Sequence, residues 1–125
     1  MASTGEEKKA RRVAFLATMA PADTPRLETM LGYATAAAAM EYETLIFFAL
    51  DSALVAKKQI FEKMDQKVKD RIRESVSLGI KLDVCSASAN TFGIKSEDLI
   101  EGVQISGIAS FYSYAQDADI VLSWS

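Results

Sequence analysis

The chain has 125 residues, half of them hydrophobic and a quarter charged, with a net charge of -3. That length suits one domain, which can bury roughly two-thirds of its unfolded surface and needs neither disulfide nor metal to fold. The acidic balance speaks against a nucleic-acid partner, because phosphate recognition demands clustered lysine and arginine. A single cysteine forbids an internal disulfide and fits a reducing compartment.

Residues 1–12, MASTGEEKKARR, are expected to be a flexible polar tail ahead of one domain over residues 13–125. The basic cluster Lys8, Lys9, Arg11 and Arg12 reads as solvated. The segment lacks the uninterrupted apolar core of a secretory signal. No run approaches the roughly twenty apolar residues of a membrane-spanning helix, so a cytoplasmic protein without a membrane span is expected.

Val13 to Met19 (VAFLATM) is an apolar run bounded by charge and proline, the pattern of a strand buried on both faces. Thr24-Pro25 then predicts a helix start, with the hydroxyl at the cap and proline at the first helical position. Leu27, Met30, Leu31, Ala34 and Ala38 follow at helical spacing. Leu45 to Leu50 (LIFFAL) predicts a second buried strand, after which Asp51-Ser52 can cap another helix. That helical pattern runs through Phe61, Met64, Val68, Ile72 and Val76 with a break near Met64 to Gln66, and Gly79 sits where a C-terminal cap belongs.

Ile80, Leu82 and Val84 alternate with Lys81 and Asp83, which predicts a third strand with one face less buried. Cys85 ends it, and Ser86 to Asn90 reads as a turn of small and polar residues. A helical turn capped by Ser96 is expected as far as Ile100, then a short strand at Val103 to Ile105, a helix from about Gly107 to Gln116 and a last strand at Ile120 to Trp124. Strand and helix alternating five times predict a three-layer α/β/α sandwich around a five-stranded, mainly parallel sheet.

Ligands gather at the carboxyl ends of the strands in such sheets, and Cys85 stands at one. The sequence strikes out several chemistries there. No arginine follows in CSASANT, which excludes a phosphatase or rhodanese-like anion loop. Ser88 stands where a dithiol motif needs its second cysteine, and both prolines, Pro21 and Pro25, lie near the first turn. With no histidine in the chain, a cysteine hydrolase lacks its base, and a transition-metal site has too few donors. The six glycines match no phosphate-binding loop, and TMAPADTP is unlike a flavin phosphate loop. No cofactor and no metal is therefore expected. A lone thiol remains, read either as a reactive group or as a buried structural one.

The stretch from Ile80 to Trp124 resembles the DsrE/DsrF-like sulfur-relay family. The matching pieces are Val84-Cys85-Ser86, Phe92-Gly93-Ile94, Glu97-Asp98-Leu99-Ile100, Glu101-Gly102-Val103 and Ala118-Asp119-Ile120-Val121-Leu122. The resemblance implies an intracellular sulfur carrier, rather than a multiple-turnover enzyme. Cys85 would accept sulfane sulfur as a persulfide or thiosulfonate and pass it on. From their positions at the same sheet rim, and not from the resemblance, Ser86, Ser88, Asn90 and Asp51 are expected to line the site. The resemblance also implies a homo-oligomer, trimer or hexamer, and partners such as a TusA-like carrier or a heterodisulfide-reductase-like complex. Self-association is expected from the residues as well, because Phe111, Tyr112 and Tyr114 of GIASFYSY point several ways around one helix.

Two features depart from the family pattern: there is no second cysteine, and Lys81 is the only basic residue within five positions of Cys85. The rival readings are an oligomeric binding or scaffold domain whose Cys85 is structural, and an enzyme binding a small molecule through Asp51, Ser52 and Asn90.

Overall fold

The first apolar run becomes strand β1 (Arg12–Ala17), its side chains alternating between two buried faces. The computed structural model describes residues 11–125, so the expected tail lies outside the described residues as far as residue 10. The strand begins at Arg12 and ends two residues before Met19, although the Thr18 N–H still donates to the Trp124 carbonyl at 2.9 Å.

Helix α1 (Thr24–Ala39) is capped one residue earlier than expected. Asp23, not Thr24, supplies the cap: its carboxylate accepts the Arg26 N–H at 3.4 Å and pairs with the Arg26 guanidinium at 2.9 Å. Strand β2 (Glu43–Phe48) stops before Leu50. The following segment, Leu50–Ala56, is a 3-10 turn rather than an α-helix. Helix α2 (Lys58–Phe61) is one turn long, and α3 (Gln66–Ser77) begins after Asp65, whose side chain accepts the Lys67 N–H at 2.9 Å. The break expected near Met64 to Gln66 is thus present. Gly79, with φ +80°, ends α3 in the left-handed conformation that glycine adopts without steric cost.

Strand β3 (Lys81–Cys85) is buried on both faces, contrary to the expectation from its alternation. Asp83 is only 2% exposed, its carboxylate accepting from Gln104 Nε2 at 3.0 Å, with Lys81 Nζ 3.8 Å away. A buried carboxylate is tolerable because it is bonded and paired. The residues expected to form a turn after Cys85 form a short helix, α4 (Ser86–Thr91). The turn near Ser96 is a 3-10 segment, Ser96–Asp98, whose cap is Lys95 rather than Ser96; the Asp98 carboxylate accepts the Lys95 N–H at 2.9 Å. Strand β4 (Val103–Ser106), helix α5 (Ile108–Ala115) and strand β5 (Ile120–Trp124) complete the chain.

The five strands form one parallel sheet in the order β4-β3-β2-β1-β5. Helices pack around it as an α/β sandwich with unequal layers. On one face Val13, Phe15, Ile46, Phe48, Leu82 and Val84 meet Leu27, Met30 and Leu31 of α1 and Val68 and Ile72 of α3. Each fully buried side chain of this size contributes about 1.5–3 kcal/mol, so this face holds most of the apolar stabilisation. The opposite face has a smaller cluster of Ala14, Leu45, Phe47, Cys85 and Phe111, closed by α5 alone.

Candidate functional site

Parallel pairing brings every strand's carboxyl end to one rim. The β2–β3 register sets Phe48 beside Val84, so Ala49 and Leu50 run past Cys85 and Ser86. On the other side, Cys85 pairs with Ser106 of β4. Beside Cys85, α4 leaves this rim directly after it and α5 leaves after Gly107. A Cβ built on Gly107 would sit 3.8 Å from Ser86 Oγ, so α5 departs close beside the start of α4.

Cys85 occupies the residue before the first turn of α4, where the helix leaves backbone N–H groups without intrahelical partners. Its side chain makes no capping bond. The alternation of β3 points Val84 into the large core and Cys85 into the small one, with Phe47 and Phe111 in its cluster. The two rings stand 5.0 Å apart between centroids. The thiol residue is 8% exposed. It is therefore a nearly covered thiol at the sheet rim, floored by aromatic rings and bordered by the small residues of α4.

Of the expected site-lining residues, Ser86 is adjacent and exposed. Ser88 is buried, and its Oγ accepts the Leu50 N–H at 2.7 Å. Asn90 lies one helical turn beyond Ser86 and faces solvent. Asp51 is exposed in the first turn of the 3-10 segment, offers no capping bond, and forms no ion pair among the described residues. The cap expected of it is replaced by Ala49, which has no side chain able to cap. Ser52 is fully buried and donates its hydroxyl to the Met19 carbonyl, so it is unavailable to a small molecule at the rim. A cleft of about 400 Å³ does exist, between Phe61, Ile72, Arg73, Val76 and Ile100, but none of Asp51, Ser52 and Asn90 lines it.

Two contributors escaped the sequence reading. Leu50 has φ +52°, a left-handed conformation that bulky residues rarely hold, and is 62% exposed. Nothing local in LIFFAL signals it, because its N–H is held by a serine 38 positions away. Asp83 lies on the same sheet face as Cys85, two residues earlier, and the period-two pattern contained that information. Around it sit Gln104, Lys81 and Tyr114, whose hydroxyl is buried without a hydrogen-bond partner among the described residues. Burial pushes the Tyr114 phenol up to about 12; the carboxylates of Glu43 and Asp83 add to the rise, and the Arg12 guanidinium, 4.4 Å over its ring, opposes it.

Comparison with known proteins is consistent with this architecture. Residues 11–124 match the model of the DsrE/DsrF-like family. The uncharacterized protein MJ0989 of Methanocaldococcus jannaschii is 26% identical over 107 residues, 86% of this chain and 94% of that protein. The uncharacterized protein MJ0760 of the same organism is 30% identical over 89 residues, 68% of this chain; the match spans only 32% of that relative's length. Among solved structures, the ychN protein from E. coli superimposes with a TM-score of 0.81 at 19% identity, covering 91% of this chain and 99% of that one. A protein of unknown function from Methanobacterium thermoautotrophicum, MTH1491, gives a TM-score of 0.70 at 16% identity with the same coverage. At these identities the structural likeness speaks for the fold.

Proposed function

The chain belongs to the DsrE/DsrF-like family, a family associated with sulfur relay, and from that premise we propose that it is a sulfur-transfer protein with Cys85 as the acceptor thiol. The observation that carries this reading is the position of Cys85: the only cysteine of the chain ends a central strand at the rim, directly before a helix of small residues. Attack of the Cys85 thiolate on the outer sulfur of a donor persulfide forms a persulfide on Cys85 and releases the donor thiolate. With tetrathionate, the same attack forms a cysteinyl thiosulfonate and releases thiosulfate. Delivery is the reverse type of exchange, in which a partner's thiolate takes the outer sulfur and Cys85 is regenerated.

With no second cysteine, the bound sulfur leaves only to another molecule. A TusA-like carrier or a heterodisulfide-reductase-like complex in the cytoplasm is the kind of partner this chemistry needs. Family members are often oligomeric, and the exposed Ile108 and Tyr112 of α5, beside the site, are apolar surface that a homo-oligomer would cover; a trimeric or hexameric order follows from the family resemblance alone. No helix among the described residues is long and apolar enough to cross a membrane.

The 8% exposure of Cys85 favours a second reading, an oligomeric binding or scaffold domain whose cysteine is structural. Intact-mass measurement after incubation with tetrathionate or polysulfide separates the two. Sulfur transfer requires added sulfur mass on the wild type and none on Cys85→Ser, with the fold of the variant intact. A wild type that never gains sulfur mass defeats the carrier reading.

A further inference from the structure

The face of β3 that carries Cys85 also carries two charges. Lys81, Asp83 and Cys85 alternate onto that face, while Leu82 and Val84 enter the large core. Asp83 is 2% exposed, as deep as its apolar neighbours. Its carboxylate accepts from Gln104 Nε2 at 3.0 Å and has Lys81 Nζ at 3.8 Å. Burying a carboxylate is costly even when it is bonded and paired, and a strand buried on both faces is ordinarily apolar throughout. Accepting sulfur on Cys85 does not by itself require Asp83.

The other groups that face this pair are neutral or already matched. In register, β2 sets Leu45 beside Lys81 and Phe47 beside Asp83, and β4 sets Gln104 beside Asp83 and Ser106 beside Cys85. Helix α5 contributes Phe111 and Tyr114, and the Tyr114 phenol, raised to about 12, is neutral at pH 7. Arg12, over the Tyr114 ring, pairs with Glu43. Helix α4, SASANT, has no ionisable side chain. Asp51, on the 3-10 segment at the rim, is exposed, so solvent screens it. Lys81 is the one cation of β3, and along the strand it lies on the far side of Asp83 from Cys85. The thiol therefore meets the negative end of the pair first.

We propose that Asp83 is a positioning residue for Cys85: its buried carboxylate holds back negative charge on the sulfur, and Lys81, as its counter-ion, moderates that hold. Two strand residues span about 6.6 Å. At that separation, even with the dielectric of water, one unit charge changes a thiolate population about threefold, and a drier site raises the factor. Lys81 stands about 13 Å along the strand, so its opposite effect is smaller, about twofold. Every exchange at sulfur places negative charge on Cys85 or removes it, so the pair weighs on uptake and delivery alike. The proposal rests on Cys85 as the reacting group of this chain.

Iodoacetamide labelling of the whole chain, timed by intact mass from about pH 6 to about pH 10, tests this in wild type, Asp83→Asn and Lys81→Gln. Asparagine keeps an acceptor for Gln104, and the Lys81 side chain is 44% exposed, so both variants should retain the wild-type circular dichroism spectrum. The midpoint of the pH–rate profile should fall by about 0.5 in Asp83→Asn, the logarithm of the threefold change, and rise by about 0.2 in Lys81→Gln. Loosened packing would instead raise the plateau rate in both variants and leave both midpoints in place. A midpoint that stays or rises in Asp83→Asn overturns the proposal; should that variant fail to fold, a midpoint that stays or falls in Lys81→Gln does so. Labelling needs no sulfur donor, so a chain that gains no sulfur mass yet shows these opposite shifts defeats the carrier reading and supports this one.

Discussion

Replacing Ser88 by alanine removes the acceptor of the Leu50 N–H, a 2.7 Å bond that joins the end of β2 to α4. The net value of such a bond is about 1 kcal/mol, rising toward about 3 kcal/mol when the donor is left buried and unpaired. The bond is only partly buried, so the cost belongs at the low end, about 1 kcal/mol. The bond also holds Leu50 at φ +52°, a conformation that costs a residue with a Cβ roughly 1–2 kcal/mol. Without the serine, Leu50 is free to relax toward extended backbone, and the rim beside Cys85 opens more often. A change of about 1 kcal/mol alters that open population roughly fivefold, and alkylation of Cys85 through the opening rises by the same factor. Urea titration should show a lower midpoint at unchanged slope, and iodoacetamide labelling followed by intact mass should show the faster rate. Leu50→Asn is the control: asparagine tolerates the left-handed conformation and keeps the donor, so stability should match or exceed wild type and the rate should not rise. An unchanged midpoint with an unchanged or slower labelling rate for Ser88→Ala refutes the reasoning.

Gly102 has φ +90°, and a Cβ there would lie 2.8 Å from both γ-carbons of Val76. Gly102→Ala should therefore cost about 3 kcal/mol from backbone strain and overpacking together, with Val76→Ala recovering part of it in a double-mutant cycle. Tyr114→Phe removes a buried hydroxyl that has no partner among the described residues and should raise stability by about 1 kcal/mol in chemical denaturation. Because the folded phenol is raised to about 12, above the unfolded value near 10, the native state keeps this proton where the unfolded chain releases it. That contribution is complete below pH about 10 and is lost as pH rises toward about 12; the Tyr114→Phe variant should lack this alkaline decline. Asp51→Asn should leave the Cys85 labelling rate unchanged, since the exposed Asp51 carboxylate neither caps nor pairs; a severalfold change would place it in the site.

Local pattern determined a great deal of this protein. The apolar runs at Val13 and Leu45 mark two buried strands, the alternation from Ile80 marks a third strand, and the glycine at position 79 and the break before Gln66 mark helix ends, because hydrophobic period and terminal chemistry act over a few residues. The parallel sandwich and the position of Cys85 at a strand's carboxyl end follow from the same alternation. What the pattern misjudged was decided at a distance. Asp83 looked like a solvent-facing residue in an alternating strand, yet Gln104, 21 positions on, accommodates it in the interior. Asp51 looked like a cap, but the chain forms a 3-10 segment there that begins at Leu50, whose amide is held by the distant Ser88. The covering of Cys85 by Phe47 and Phe111, and the place of β5 at the end of the strand order beside Tyr33, came only with the order of strands in the sheet. Periodicity states which face a residue presents; only the pairing of distant segments states what that face meets.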